Sequence, residues 1–138
     1  MEASFLAGVA AANCSVGIVH AFAHSVGRDR VPHGTGNAAA LDAGIEFNAS
    51  TPQMSDLLSR LRMGAPDDLR EQTAVVTGLA LDEWRDVPAL RDLGNADYRT
   101  EIAARMARDV TIRSNPRRPS DDDRLDFVAA VAERLESR

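Results

Sequence analysis

The sequence predicts an all-α domain, on three observations. Apolar residues recur at three- and four-residue steps, helix-start signals stand at the head of several of those runs, and no segment alternates apolar with polar as a strand would. The first helix is expected from about Glu2 to Val26: it contains no Pro and is apolar on nearly every face, the pattern of a buried central helix. Gly8 and Gly17 would let neighbours approach it closely, and Gly27 is expected to cap its end before the polar turn Arg28-Asp29-Arg30. Pro32 holds Val31 extended, and Gly34-Thr35-Gly36 leads into a second helix from Asn37 to about Phe47. Thr51 as N-cap and Pro52 at the first helical position launch a third, amphipathic helix to about Met63.

Gly64-Ala65-Pro66 breaks the pattern again, and Asp67 and Asp68 place negative charge at the start of a fourth helix running to about Arg85. Its Leu69, Val75, Val76, Leu79 and Trp84 fall at spacings mostly compatible with one face. A short connector over 87–94 precedes a fifth helix from Asp97 to about Asp109, and 112–119, with two prolines, reads as irregular. Ser120 followed by three aspartates is a capping-box pattern for the last helix, through Leu135, in which Leu125, Val128, Val131, Ala132 and Leu135 keep the helical period.

With 138 residues, 44% of them hydrophobic and 27% charged, the chain can bury one ordinary core, so a single domain over 1–138 is expected. A formal net charge of −5 argues against a general nucleic-acid binder, which needs clustered Lys and Arg. The single Cys14 cannot form an internal disulfide and suits a reducing compartment. Ala3 to Gly27 carries no formal charge and is nominally long enough to span a bilayer, but Asn13, Ser15, His20 and His24 interrupt it and its apolar content is mostly Ala and Gly. Glu2 stands where a secretory signal would carry positive charge. A cytoplasmic protein with neither a membrane nor a nucleic acid as partner is expected.

All three histidines fall between His20 and His33, in His20-Ala21-Phe22-Ala23-His24 and Pro32-His33-Gly34. Residues four apart on a helix share a face about 6 Å apart along the axis, so His20 and His24 project into one space, and the turn through Pro32 carries His33 back toward it. Converging imidazoles form a metal site or a proton relay; otherwise they are ordinary core or surface histidines, and spacing alone leaves both readings open. Three imidazoles do not by themselves complete a usual metal site, so an acidic ligand is expected. Asp29, Asp42 and Glu46 are nearest in sequence, although each also reads as a solvated or capping carboxylate.

The run Leu6-Ala7-Gly8-Val9-Ala10, then Asn13, then 17–27 with both histidines, then Val31-Pro32-His33-Gly34 and Asn37-Ala38, resembles the signature of the iron-containing (group III) alcohol dehydrogenases. Glu46-Phe47-Asn48-Ala49, Leu90-Arg91-Asp92-Leu93-Gly94 and Asn115-Pro116-Arg117 with Pro119 resemble that family in the right order, so the likeness covers essentially the whole chain. It implies the C-terminal part of the family's helical domain, with His20 and His33 as ligands of a divalent metal (Fe2+ or Zn2+) and His24 beside the nicotinamide and substrate, assisting catalysis through positioning or proton movement. In the family the metal polarises the alcohol or aldehyde oxygen while a hydride passes to NAD(P).

The departures matter as well. Family enzymes take an Asp and another His from an upstream helix and bind their nucleotide on an N-terminal α/β domain with a glycine-rich phosphate turn, and this chain has neither. Its 24–33 segment is one residue shorter than in several relatives, and Asp42-Ala43 stands where a Pro-His pair is common. Two functions follow as expectations. One is the helical part of a metal-dependent, NAD(P)-linked alcohol dehydrogenase, inactive without the nucleotide domain and the remaining metal ligands, the chain being either a subunit that works beside a separately encoded nucleotide-binding half or a truncated gene product. The other is a non-catalytic metal-binding or interaction module. A first helix apolar on all sides also predicts a homo-oligomer.

Overall fold

Within the longest apolar run of the sequence, Val16 and Gly17 are not helical and a helix starts at Ile18. The computed structural model describes residues 8–9, 16–82 and 84–137. Gly8 and Val9 are helical, and the described residues from 16 onward form seven α-helices and no strand: α1 (Ile18–Gly27), α2 (His33–Phe47), α3 (Pro52–Leu61), α4 (Pro66–Ala80), α5 (Pro88–Arg91), α6 (Ala96–Met106) and α7 (Asp121–Glu136). Single turns of 3-10 helix lie at Trp84–Asp86, Asp92–Gly94 and Val110–Ser114. No helix among the described residues is long and apolar enough to cross a membrane.

A continuous helix from Glu2 to Val26 is therefore corrected at Gly17, while most of its expected first half lies outside the described residues. The break has a cause far along the chain. Gly17 is extended (φ −122, ψ −146), and the first helical amide, Ile18 N–H, donates to Asn115 Oδ1 at 3.0 Å. A Cβ on Gly17 would stand 2.3 Å from that same oxygen, so only glycine lets Asn115 reach the helix end.

From there α1 packs on α2, on α6 and on the 3-10 turn at Val110–Ser114, while α2 packs on α4 and α7. Ile18, Ala21, Phe22 and Val26 join Leu90, Leu93, Ile102, Met106, Val128, Val131 and Leu135 in one core. α1 is therefore buried over a broad face, leaving Val19 and His20 half-buried and His24 exposed. Gly27 belongs to α1, and the left-handed residue of the following turn is Arg30 (φ 67), which corrects the expected glycine cap. α2 begins at His33, a full turn before the expected Asn37. Gly36 sits inside it because a Cβ there would lie 3.0 Å from Ala23 Cα on α1.

The caps at Thr51 and Ser120 are as expected: Thr51 Oγ1 accepts from Met54 N, and Ser120 and Asp123 cap each other reciprocally. The fourth helix is shorter than expected, ending at Ala80. Val75 and Val76, counted in the sequence among residues spaced mostly for one face, are each 70% exposed, and Trp84 is buried separately on its own 3-10 turn. Leu125 is likewise largely on the surface, and Phe127 takes its place in the core.

Two arginine-centred networks tie the helices together. Asp42 accepts a two-pronged pair from Arg70 (2.6 and 3.1 Å) and a third bond from Arg134 Nε, which joins α2 to α4 and α7. Asp29, in the turn after α1, accepts from Arg105 Nη1 (2.5 Å) and Tyr98 Oη (2.7 Å) on α6. The Arg70 bonds outweigh burial at Asp42. At Asp29 burial pushes the carboxyl up, but the Arg105 and Tyr98 bonds bring it below its usual value. Both folded-state pKa values thus lie below the unfolded value of about 3.9, so the contribution is complete above that pH and lost as pH falls through the folded values. Urea midpoints of the native chain should fall steeply below about pH 4, and Asp29→Asn should flatten that decline.

Candidate functional site

His20 and His24 lie one turn apart on α1, and Pro32 starts α2 at His33, so the three imidazoles meet where the two helices join. Ring centres are 5.1 Å apart for His20 and His33, 5.2 Å for His24 and His33, and 6.0 Å for His20 and His24. The His24 and His33 rings are stacked at 23°, and His20 meets His24 edge-on at 82°. His20 is half-buried, while His24 and His33 are exposed, so the cluster opens to the surface.

The electrostatics differ from ring to ring. Burial pushes His20 below the ordinary imidazole value, the neighbouring His33 and His24 push it further, and Asp109 opposes them. A neutral nitrogen at pH 7 is the form that can ligate a cation. His33 Nε2 faces Asn37 Nδ2 at 3.0 Å, one turn on along α2. Asn37 Oδ1 is buried with no hydrogen-bond partner, an uncommon state for a polar atom. His24 Nδ1 lies 2.9 Å from Asp109 Oδ2, an ion-pair geometry with the carboxylate mostly buried and the ring half-exposed. Asp109 Oδ1 in turn accepts from Thr111 N (2.9 Å) and Thr111 Oγ1 (2.6 Å). Burial raises the Asp109 carboxyl, and the Thr111 and His24 bonds bring it below the usual range, so it is ionised at neutral pH.

The acidic residues nearest in sequence are elsewhere. Asp29 is bound to Arg105 and Tyr98, Asp42 to Arg70 and Arg134, and Glu46 to Arg134. The carboxylate that does reach the imidazoles is Asp109, 85 residues from its partner His24. The only local signal for it is Asp109-Val110-Thr111, a side-chain turn in which the carboxylate accepts from the amide two residues on. Nothing local in the sequence pairs that turn with His24.

Two imidazoles bound to one ion, at about 2.1 Å per nitrogen, have ring centres roughly 5 Å apart. The spacing of His20 and His33 suits that arrangement. Among the described residues, no group of three His, Cys, Asp or Glu side chains is placed to hold a metal ion. Beside it lies a pocket of about 330 Å3 lined by His20, Asn37 and the apolar Val19, Ala38, Leu41 and Val76.

The family described as "Fe-containing alcohol dehydrogenase family, C-terminal" matches residues 1–131. The chain is 33% identical to the 1-propanol dehydrogenase PduQ of Salmonella typhimurium over 131 residues, covering 84% of this chain and 35% of that protein. It is 32% identical to the 1,3-propanediol dehydrogenase of Klebsiella pneumoniae, covering 94% of this chain and 34% of the relative. To alcohol dehydrogenase 4 of Saccharomyces cerevisiae it is 34% identical, covering 83% and 31%. The chain thus spans about a third of the length of these curated relatives, and no solved structure matches it significantly. With a match from residue 1 to 131 and an all-helical fold, the chain belongs to the iron-containing alcohol dehydrogenase family and represents its C-terminal helical region.

Proposed function

We propose that this chain is the metal-holding helical part of an alcohol dehydrogenase of the cytoplasm, with His20 and His33 as two ligands of a divalent cation and His24 as the group that positions the substrate or moves its proton. The observation that carries the reading is the approach of the His20 and His33 rings to 5.1 Å, in a chain of this family. The donor set fits such a cation in part. Two imidazoles are good ligands for Fe2+ or Zn2+, and the buried Asn37 Oδ1 without a partner marks a place where a polar group is missing. Two ligands are one short of a working catalytic site, so the others come from outside the described residues. A bound cation would supply Lewis-acid polarisation of an alcohol or aldehyde oxygen. NAD(P), which the family also uses, has no cradle here: the sequence offers no glycine-rich phosphate turn and the described residues no strand.

The partner in this reading is a separately encoded nucleotide-binding half that supplies the remaining ligands. Val19, Ala38, Leu41 and Val76 form the apolar ground beside His20 on which it would rest, with Val75 and Val76 the most exposed part. The same exposed valines favour a second reading, a non-catalytic module in which two copies of the chain each give His20 and His33 to one ion.

Calorimetric titration of Zn2+ into the chain, repeated with His20→Ala and His33→Ala, tests the common core of both readings. Each substitution should weaken binding by about a hundredfold. Equal affinity in all three proteins sinks the assignment. Light scattering with and without zinc separates the two: metal-dependent doubling of mass favours the shared site, and alcohol oxidation appearing only on mixing with a nucleotide-binding half favours the enzyme.

A further inference from the structure

We infer that Asp109 is the positioning residue that holds His24 in the tautomer with its proton on Nδ1, leaving Nε2 as the nitrogen free to take up and release a proton. The inference rests on geometry at both ends of the pair. An ionised carboxylate only accepts hydrogen bonds, so at 2.9 Å from Asp109 Oδ2 the His24 Nδ1 must carry the hydrogen. Asp109 is itself fixed: its other oxygen takes both the amide and the hydroxyl of Thr111, and it is mostly buried against the 3-10 turn that packs on α1. The carboxylate cannot swing away without leaving two Thr111 donors unpaired. His24, the more exposed member, is therefore the group that is oriented.

The arrangement also predicts what an isosteric change does. In Asp109→Asn the Thr111 amide still needs an acceptor, so the amide oxygen of the new side chain stays on Thr111 and its NH2 turns toward His24. A donor facing Nδ1 forces that nitrogen to accept, and the proton moves to Nε2. The substitution thus reverses the tautomer while keeping size, shape and the Thr111 bonds. Such a reversal would deprive the proposed dehydrogenase of the lone pair on Nε2; this consequence rests on the function proposed above, whereas the tautomer itself does not.

Nitrogen-15 NMR of the full chain with labelled histidine, at about pH 8 where ordinary imidazole is neutral, reads the proton position directly. His24 is assigned by loss of the other two signals in His20→Gln and His33→Gln. In the native chain Nδ1 should show the protonated signature and Nε2 the bare one. In Asp109→Asn the two should exchange, a change in tautomer ratio of at least about tenfold for the gain and loss of one charge-assisted bond. A bare Nδ1 in the native chain overturns the inference, and so does an unchanged ratio in an Asp109→Asn chain that keeps its helical circular dichroism. Should that variant not fold, the native spectrum decides alone. If the spectra behave as expected but no mixture with a nucleotide-binding half oxidises alcohol, the dehydrogenase reading fails and the positioning role stands.

Discussion

Replacing Phe22 with alanine will lower the stability of the chain by about 3–5 kcal/mol, the cost of removing a large aromatic side chain from a packed core. Phe22 is fully buried on α1, and its ring meets Phe127 of α7 edge-on at 6.4 Å and 71°, while Phe127 makes a second such contact with Phe47 of α2 at 6.1 Å. The aromatic chain spans three helices, so the void left by alanine is walled by rings held from other sides and collapses poorly. Against a total of about a tenth of a kcal/mol per residue, this loss is a large share of what holds the chain folded. Urea unfolding should show a lower midpoint with an unchanged slope, since the surface exposed on unfolding hardly changes. Phe22→Leu should cost less than half as much, and a Phe22→Ala midpoint within error of the native chain would show that the three-ring contact carries no weight.

Phe22 also shows what the sequence makes legible. Its place in an uncharged helical run, between two histidines four apart, is enough to put it in the core and His20 and His24 together on one side. The caps at Thr51 and Ser120 are equally readable, because each acts on amides only three residues away. The meeting of His33 with His20 follows from the Pro32 turn. What is not legible is held by partners distant in sequence. Asp109 reaches His24 across 85 residues, and Asn115 reaches Ile18 across 97. Gly17 inside an apolar run therefore looks like a packing glycine, when it is the point at which another segment ends the extended entry and starts the helix. Val75 and Val76 mislead for the opposite reason: their periodicity is helical, but the described residues supply nothing to cover them.

The other large effect expected is at Asn115, which is 7% exposed and serves three segments at once. Its Oδ1 accepts the first amide of α1, and its Nδ2 donates to Asn48 Oδ1 at 2.8 Å, just after α2, and to Arg117 O at 2.7 Å. Alanine removes these bonds, and a longer one in which Asn48 Nδ2 donates to Asn115 Oδ1 at 3.5 Å, and leaves buried backbone groups to find water, a loss of about 2–4 kcal/mol. Because Asn115 sets where α1 begins, and α1 carries His20 and His24, zinc affinity should fall with it even though Asn115 touches neither ring. The steric half of the arrangement can be isolated. Gly17→Ala alone drives a Cβ into Asn115 Oδ1 and should cost about 1–3 kcal/mol, as overpacking does. In an Asn115→Ala background the obstacle is gone, so the same Gly17→Ala change should cost almost nothing. The double variant should then be more stable than the sum of the single effects predicts by at least about 1 kcal/mol, measured by urea unfolding of all four chains. Additivity within about 0.5 kcal/mol would mean that Gly17 and Asn115 act independently, and that the start of the histidine-bearing helix is set by something other than this lock.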